Sequence, residues 1–425
     1  RGHMSAIQRL ITQRPARNKA QVIIIGGGAS GLAAACVLAR AQVPFLLLEK
    51  EHKLGRKLLA TGNGRCNLMN LGPPVYFGDN RFASRVLAAC GAAEVGEFFT
   101  GLGLAFFEEE LGRVYPNTRQ AATVLDCLTA GFINSPGAQV ITGVQVTGLR
   151  QMGAGFEVMT ASGERHQAPR IILAAGGPAA PKLGGSALMA QELTRLGHPL
   201  QPFFPALCAL TTETRPIRGL NGLRVPAYVT LLHDGLPVST AAGELLFANY
   251  GVSGLCAMQL ARDAETGLAA GKKVEISLDF APLLGLAPAL MRRLEPAELA
   301  GGGHQAAALD LLTDRLNTLG RERLYTGLLP WAMAEKLQNL PIREAAQWLT
   351  GLRLDVTGTQ GLDNAQVAAG GIDCRDISPL TLESKRAPGL YICGEILNVD
   401  GDTGGYNLLF AWATGILAGR AAGRG

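Results

Sequence analysis

Three glycines near the start of the chain have the spacing that brings a backbone close to a phosphate group. They form Gly26-x-Gly28-x-x-Gly31, with Ala29 and Ser30 between the last two. In such a turn the first glycine permits a tight bend, the second lets the backbone approach a pyrophosphate, and the third lets a helix pack close to a strand. A helix that starts here directs unpaired N–H groups and the positive end of its dipole at the phosphates.

The residues around this turn predict a βαβ unit, which is the context that the turn requires. The pattern predicts a strand over residues 22–25, a helix over 32–40 and a second strand over 43–48. Glu49 and Lys50 follow at the tip of the second strand, where a carboxylate accepts hydrogen bonds from a ribose and repels a 2′-phosphate. We therefore expect a bound adenine dinucleotide. The alternative interpretation is a glycine turn in a plain parallel sheet.

A second glycine-rich segment follows a later predicted strand. Residues 170–174 indicate a buried parallel strand, which leads into Ala175, Gly176 and Gly177. In doubly wound α/β folds, ligands bind outside the carboxyl ends of the strands. We therefore expect these residues to lie beside the first glycine turn.

A third segment of this kind lies close to the end of the chain. A strand predicted over residues 390–393 leads into Gly394 and Glu395, and Gly405, Tyr406 and Asn407 open a final helix predicted to run to residue 417. Glu395 is placed to accept a hydrogen bond from a ribityl hydroxyl, and the helix N-terminus to face the pyrimidine end of a flavin. The alternative is a glycine loop that only caps a helix.

Residues 55–70, GRKLLATGNGRCNLMN, combine glycines with basic side chains. Arg56, Lys57 and Arg65 offer donors for a pyrophosphate, for the C2 carbonyl of a flavin or for an anionic substrate. Gly62 and Gly64 would let the backbone lie flat against a planar ring. The segment therefore predicts one wall of the same site.

Two further side chains of this segment suit the edge of a reacting ring. Asn67 both donates and accepts hydrogen bonds. Cys66 is a candidate proton donor or redox thiol, and the arginines beside it would lower its pKa. The alternative is that Cys66 is only a small residue that fits a tight loop. The candidate catalytic residues are Cys66, Arg65, Asn67 and Tyr406.

The composition is that of a well-buried α/β protein. The chain has 425 residues, 48% of them hydrophobic, and 55 glycines, which suits two or three domains and argues against disorder. No apolar run approaches the length of a membrane span, so we expect no contact with a membrane. No signal peptide is visible, and residues 1–3 before Met4 are typical of a cloning remnant.

The net charge of +5 comes from the first 19 residues, which contain five basic side chains and no acid. The rest of the chain is neutral, so we expect this basic tail to be a solvated terminus. The alternative is that it contacts nucleic acid or an anionic surface, which would favour an RNA partner. The eight cysteines form no CxxC pair, and the six histidines lack the spacing of metal ligands. We therefore expect a cytoplasmic protein with no disulfide and no bound metal.

The composition changes along the chain and predicts inserted segments. Alternating apolar residues over 205–280 predict an antiparallel sheet or barrel, and residues 283–350 predict helices. Asn117 or Thr118 is expected to cap a helix that ends near residue 130. The predicted boundaries are a tail over 1–19, an FAD-binding domain over 20–200 and 367–425, a β domain over 201–282 and 351–366, and a helical subdomain over 283–350.

Four segments resemble a known family. Residues 55–70, GELLFANYGVSG (243–254), VAAGGI (367–372) and residues 389–419 are similar to the bacterial BaiN-like and YhiN-like flavoproteins, often labelled aminoacetone oxidase family FAD-binding enzymes. The resemblance covers almost the whole chain from residue 20. It implies an α/β fold with a discontinuous, glutathione-reductase-like FAD-binding Rossmann domain, an inserted antiparallel β-barrel domain and a small helical subdomain.

The resemblance also implies roles for particular residues. Asp402 stands where relatives often have proline and Asn63 where others have glycine, two departures that would alter the substrate face rather than FAD binding. The family's motif roles carry over to Gly26, Gly28, Gly31, Glu49, Arg56, Lys57, Gly64, Arg65, Cys66, Asn67, Gly394, Glu395, Gly405, Tyr406 and Asn407.

Three functions are compatible with these residues. The first is an FAD-dependent reductase in which NAD(P)H is the transient reductant of the flavin and an activated C=C bond is reduced, with uridine in ribosomal RNA as the preferred substrate. The second is an oxidase of a small amine such as aminoacetone. The third is a flavin-bound module that binds RNA or protein without catalysis.

Two observations bear on this choice. The chain has a single GxGxxG motif, whereas flavin reductases with a separate pyridine-nucleotide domain carry two. NAD(P)H would therefore dock transiently, or another donor or oxygen would react with the flavin. Arg215, Arg218 and Arg224 favour an RNA partner, and the neutral body favours a small-molecule substrate. The sequence leaves the oligomeric state open.

Overall fold

The computed structural model describes residues 19–294 and 304–424, so the predictions for residues 1–18 lie outside the described residues. The chain divides into two compact units. Unit 1 contains residues 1–203 and 367–425, and unit 2 contains the residues between them.

Unit 1 is built on a parallel sheet of five strands. From one edge to the other, these are Leu390–Ile392, Arg170–Leu173, Val22–Ile25, Phe45–Glu49 and Ala138–Thr142. Their apolar runs are almost completely buried, as expected when helices cover both faces of a parallel sheet. The last strand of the chain therefore joins the first sheet, which confirms the prediction of a Rossmann-type α/β fold.

Two helices pack closely against each other beside this sheet. Ala29–Arg40 follows the first strand, and Tyr406–Ala422 is the final helix. A Cβ added at Gly415 would collide with the carbonyl oxygen of Ser30, and one at Gly419 would lie 3.0 Å from that of Ala34. Glycines on the final helix therefore set the distance between the two helices.

Smaller elements complete unit 1. Two three-stranded antiparallel sheets and one two-stranded pair flank the main sheet. The strands are Val146–Met152, Gly155–Thr160 and Arg165–Ala168; Met69–Asn70, Phe106–Glu108 and Arg113–Pro116; and Tyr76–Gly78 with Val399–Gly401. The helices are Arg56–Ala60, Asn80–Ala89, Ala92–Gly101, Ala121–Ile133 and Leu188–Arg195, and strands Leu200–Ala206 and Val367–Ile372 lie where the chain passes between the units.

The predicted helix cap at Asn117 or Thr118 is wrong. The helix begins at Ala121 after Gln120, which makes no side-chain capping bond. Arg119 N–H donates to the carbonyl oxygen of Pro116 at 2.8 Å, so these residues form a turn that ends the preceding strand. The polar side chains belong to that turn and not to the helix.

Unit 2 contains a closed antiparallel barrel. Its strands pair in the order Arg224–His233, Val274–Asp279, Leu352–Thr359, Leu210–Thr212, Gly251–Ser253 and Leu236–Ala248, and the last pairs back with the first. Closure leaves these strands without free edges. Strand Arg293–Leu294 adds to Leu236–Ala248, and the helices are Leu255–Met258, Ala261–Ala269, His304–Leu319, Trp331–Leu337 and Ile342–Gly351.

Helices long and apolar enough to cross a bilayer do not occur in the part of the chain that the structure describes.

The contact between the two glycine-spaced helices predicts the effect of a single methyl group. Gly415→Ala places a Cβ against the Ser30 carbonyl, and we expect it to lower the free energy of unfolding by about 1–3 kcal/mol. The control is Gly96→Ala in helix Ala92–Gly101, where a Cβ has only ordinary contacts and should be neutral or stabilising by up to about 1 kcal/mol. Denaturant titration measures both, and equal stability of the two variants would contradict the packing.

Candidate functional site

The three glycine-rich segments meet at one edge of the main sheet. They follow three adjacent parallel strands, so their first residues must lie side by side. A Cβ at Gly26 would collide with the carbonyl oxygen of Ala174, and the Gly177 N–H lies 3.4 Å from a carboxylate oxygen of Glu395. The Gly394 N–H donates to the Thr414 hydroxyl of the final helix at 3.1 Å.

Two of the three motif glycines are required by the protein's own backbone, and one is not. Gly26 has a φ of +107°, and a Cβ at Gly31 would collide with the Gly26 carbonyl. Gly28 has an ordinary φ of −85°, and a Cβ there would meet nothing within 4 Å. The described part of the chain therefore leaves open space in front of Gly28, which gives room for a ligand.

The helix that starts at Ala29 has an N-terminus suited to an anion. Gly28 is its N-cap and offers no side chain, and no acidic residue lies in the first turn. Its first N–H groups thus have no side-chain partner and point outward from the sheet edge. Ser30, in the same turn, is buried against the third segment, since a Cβ at Gly394 would lie 2.5 Å from its hydroxyl.

Glu49 ends the second strand, as predicted, and holds the glycine turn in place. One carboxylate oxygen accepts from the Gly27 N–H at 2.6 Å, and the other from the Glu51 N–H at 2.8 Å. Burial raises the pKa of Glu49, while the two N–H donors act in the opposite direction. A surface cavity of about 570 Å³ lies next to it, lined by Lys50, Glu51, Gly143, Val144, Gln145, Ala161 and Ser162.

Two predicted donors already have carboxylate partners. Arg56 pairs with Glu51, and Lys57 pairs with Glu395 at 2.7 Å. The Lys57 pair joins the helix Arg56–Ala60 to the third glycine-rich segment. The sequence suggests both basic residues as donors to a ligand, whereas the structure places each against an acid.

The loop after this helix is wound tightly. Asn63, Gly64 and Cys66 all have positive φ, which costs the two residues with a Cβ some backbone strain. Arg65 is exposed and lies over the ring of Tyr115, with its guanidinium carbon 5.3 Å from the ring centre. Strained residues that are held in place often occur at functional sites.

The expected effect of the arginines on Cys66 is wrong. Burial raises the pKa of the Cys66 thiol to about 12, and only a hydrogen bond with Thr61 acts in the other direction. Arg65 contacts Tyr115 rather than the sulfur. Cys66 is therefore a neutral thiol at physiological pH and not an activated thiolate.

Asn67 contains an orphaned buried polar atom. Its Oδ1 has no hydrogen-bond partner among the residues that the structure describes. A Cβ at Gly405 would lie 2.8 Å from this oxygen, so the amide lies where the loop meets the start of the final helix. Since a buried acceptor without a partner costs about 1–3 kcal/mol, the site suits a ligand that carries an N–H group.

Tyr406 and Asn407 support the loop that precedes the final helix. The Tyr406 hydroxyl donates to the Pro73 carbonyl at 2.8 Å, and burial raises its pKa. The Asn407 amide bonds both the N–H and the carbonyl of Gly401, at 2.8 and 2.7 Å. Both side chains act on the protein, although the sequence suggests that they contact a ligand.

Three further residues hold the site together and are not among the predicted ones. Asn70 donates to the Gly404 carbonyl at 2.8 Å and accepts from the Gly72 N–H at 2.7 Å. Trp412 donates to the Leu68 carbonyl at 2.9 Å, and Thr414 receives the Gly394 N–H. The sequence contains a signal for Trp412 and Thr414: both have polar groups in the apolar helix Tyr406–Ala422, and buried polar groups need a hydrogen-bond partner.

No cluster of three or more His, Cys, Asp or Glu side chains arranged for a metal ion occurs in residues 19–294 and 304–424. All eight cysteines are free thiols.

Comparison with known proteins identifies the family of this chain. A family described as HI0933-like protein Rossmann domain matches residues 20–421. The chain belongs to this family. It is 38% identical to the 3-dehydro-bile acid delta(4,6)-reductase of Clostridium scindens, over 94% of this chain and 98% of that one. It is 26% identical to the ribosomal RNA dihydrouridine synthases of Escherichia coli and Haemophilus influenzae, over 92% of this chain and 95% and 96% of theirs.

The family and the geometry agree on the class of protein, which is an FAD-dependent oxidoreductase. The open space at Gly28, the uncapped helix N-terminus and the unpaired Asn67 oxygen all fit FAD. The predicted set of residues that would hold it is Gly26, Gly28, Ala29, Ser30, Gly31, Glu49, Lys50, Arg56, Lys57, Gly64, Arg65, Cys66, Asn67, Ala175, Gly176, Gly177, Gly394, Glu395, Gly405, Tyr406 and Asn407.

Two motif glycines should respond differently to the same substitution. Gly28→Ala adds a methyl group in open space, so we expect normal stability and FAD affinity reduced about 10-fold or more. Gly31→Ala creates a collision with the Gly26 carbonyl and should destabilise the protein itself. Thermal melting of the apoprotein and FAD titration separate the two effects. Unchanged FAD affinity in Gly28→Ala would contradict a pyrophosphate at this position.

The raised pKa of Cys66 predicts its reactivity. A thiol with a pKa of about 12 stays protonated up to roughly pH 11, so Cys66 should resist alkylation in the native protein at pH 8. Iodoacetamide treatment followed by peptide mass spectrometry measures this, and the denatured protein, in which all eight thiols react, is the control. Rapid labelling of native Cys66 would show that its thiolate is accessible and stabilised.

Proposed function

We propose that the protein reduces a C=C bond conjugated to a carbonyl group, with NAD(P)H as the electron donor. As its substrate we propose a uridine in ribosomal RNA, which becomes dihydrouridine; this is supported by the names of two relatives and by the exposed Arg215 and Arg218. When bound, FAD supplies hydride transfer between the nicotinamide and the carbon acceptor.

The observation that carries this proposal is the chemistry shared by the relatives. A delta(4,6)-reductase and a dihydrouridine synthase have unrelated substrates, yet both names describe the saturation of C=C bonds. In uracil the C5=C6 bond is conjugated to a carbonyl, and so is the C=C bond of an enone in a fused ring. One flavin site therefore serves either substrate, and the surrounding residues select between them.

Of the four candidate catalytic residues, Arg65 has the most suitable donors. It is exposed, and the only hydrogen bond of its side chain in the described part of the chain uses Nε, which donates to the Gly62 carbonyl at 3.4 Å. Its terminal nitrogens are available to a substrate carbonyl, where they stabilise the negative charge that develops as the double bond is reduced. The Asn67 amide orients the ring, while Cys66 and Tyr406 hold the two loops in position.

A second candidate substrate is a small fused-ring enone. It is favoured by the 38% identity to the bile acid reductase, which exceeds the 26% identity to the RNA-modifying relatives. The charges of residues 204–366 also favour it, because acidic side chains slightly outnumber basic ones there. Arg224 pairs with Glu244 at 2.5 Å, so of the three arginines suggested for RNA contact only Arg215 and Arg218 are exposed without an acidic partner.

The test has a chemical and a cellular part. Mixing the FAD-loaded protein with NADH or NADPH without oxygen should bleach the flavin, and an enone or a uridine-containing RNA should restore its colour. Arg65→Met should bind FAD normally and lower the rate of the second step about 100-fold. Arg85→Met, which removes an exposed arginine from helix Asn80–Ala89, should leave that rate unchanged.

Ribosomal RNA from a deletion strain identifies the substrate. Loss of a uridine that is heavier by two hydrogen atoms, restored by the wild-type gene but not by the Arg65→Met gene, supports the RNA. Unchanged RNA together with turnover of an enone supports the second candidate. Peroxide release with an amine, and no bleaching by either nicotinamide, would contradict the reductase.

A further inference from the structure

The Glu395 carboxylate receives donors from three separate segments of unit 1. Oε1 accepts from Lys57 at 3.0 Å and from the Ala368 N–H at 3.1 Å. Oε2 accepts from Lys57 at 2.7 Å and from the Gly177 N–H at 3.4 Å. Each oxygen thus has two protein donors, which is the usual capacity of a carboxylate oxygen.

The Lys57 ammonium group is equally occupied. Its Nζ contacts both oxygens of Glu395 and the carbonyl oxygen of Ala179, the last at 3.4 Å. An ammonium group has three N–H donors, and these three acceptors use all of them. With 30% of the Lys57 side chain and 22% of the Glu395 side chain exposed, the pair is partly shielded from water. No donor of Lys57 is left for a phosphate or a substrate.

We propose that Lys57 is a positioning residue of the FAD site and acts through Glu395. Its charge compensates the carboxylate and holds the turn after strand Leu390–Ile392 against the loop at Gly177 and the strand at Ala368. Without Lys57, the carboxylate keeps only two backbone donors and an uncompensated charge at the edge where an anionic cofactor binds. Lys57 therefore sets the shape and the charge of the site without touching the ligand.

The competing role for Lys57 is a direct contact with the FAD pyrophosphate. The two roles differ in whether the effect of removing Lys57 depends on Glu395, and a double-mutant cycle measures such dependence. A positioning role makes Lys57 irrelevant once the carboxylate is neutral. A direct contact makes its effect the same in both backgrounds.

The experiment is FAD titration of the full-length protein stripped of its cofactor, followed by flavin fluorescence. Lys57→Met should raise the Kd for FAD about 10-fold in the wild-type background and less than about 3-fold in the Glu395→Gln background. The control is Lys53→Met, which removes the same charge from an exposed residue shortly before this segment and should leave the Kd unchanged. An equal effect of Lys57→Met in both backgrounds would overturn the proposal.

A neutral pair decides the question even if Lys57→Met does not fold. In Lys57→Gln with Glu395→Gln, the two amides can hydrogen-bond to each other, and the carbonyl of the new glutamine at 395 can still accept from the Ala368 or the Gly177 N–H. We expect this double variant to bind FAD within about 3-fold of Glu395→Gln alone. A direct phosphate contact predicts binding about 10-fold weaker than that of Glu395→Gln. Because neither nicotinamide nor substrate takes part, the outcome is independent of the proposed reductase activity.

Discussion

The close approach of backbone to backbone at one edge of the parallel sheet is the constraint on which the rest of the site depends. Strand Val22–Ile25 and its neighbour Arg170–Leu173 end where a helix also begins, so carbonyl oxygens lie where most residues would have a Cβ. The glycines at 26, 31 and 415 make this possible, since a methyl group at any of them would collide with a carbonyl oxygen. Gly28 differs because a Cβ there would meet no protein atom within 4 Å, so the space beside it is open to a ligand.

Charge is distributed at this edge so that an anion meets donors rather than acids. Glu49 is held by backbone N–H groups, and Glu395 is compensated by Lys57. The helices that begin at Ala29 and Tyr406 carry no side-chain caps, so their positive ends face the site. Packing and electrostatics therefore select the same kind of ligand, which is an extended and negatively charged dinucleotide.

The strands and glycine motifs of the sequence predict the main sheet of the structure. The first strand has the predicted bounds, Glu49 ends the second strand, and the late strand at 390–392 joins the first sheet. The side-chain contacts between residues far apart in the chain could not be read from the sequence. Lys57 and Glu395 are 338 positions apart. Burial raises the pKa of Cys66, and the residues beside it in the sequence do not indicate that burial. Asn70 belongs to the same group, since its partner Gly404 comes from the other end of the chain.

The most direct test is a crystal structure of the protein grown with FAD. The pyrophosphate should lie against the N–H groups at Gly28 and Ala29, with the ribose at Glu49 and the flavin ring between Asn67 and the start of the final helix. FAD bound anywhere else, or a different molecule held at the three glycine corners, would contradict the account.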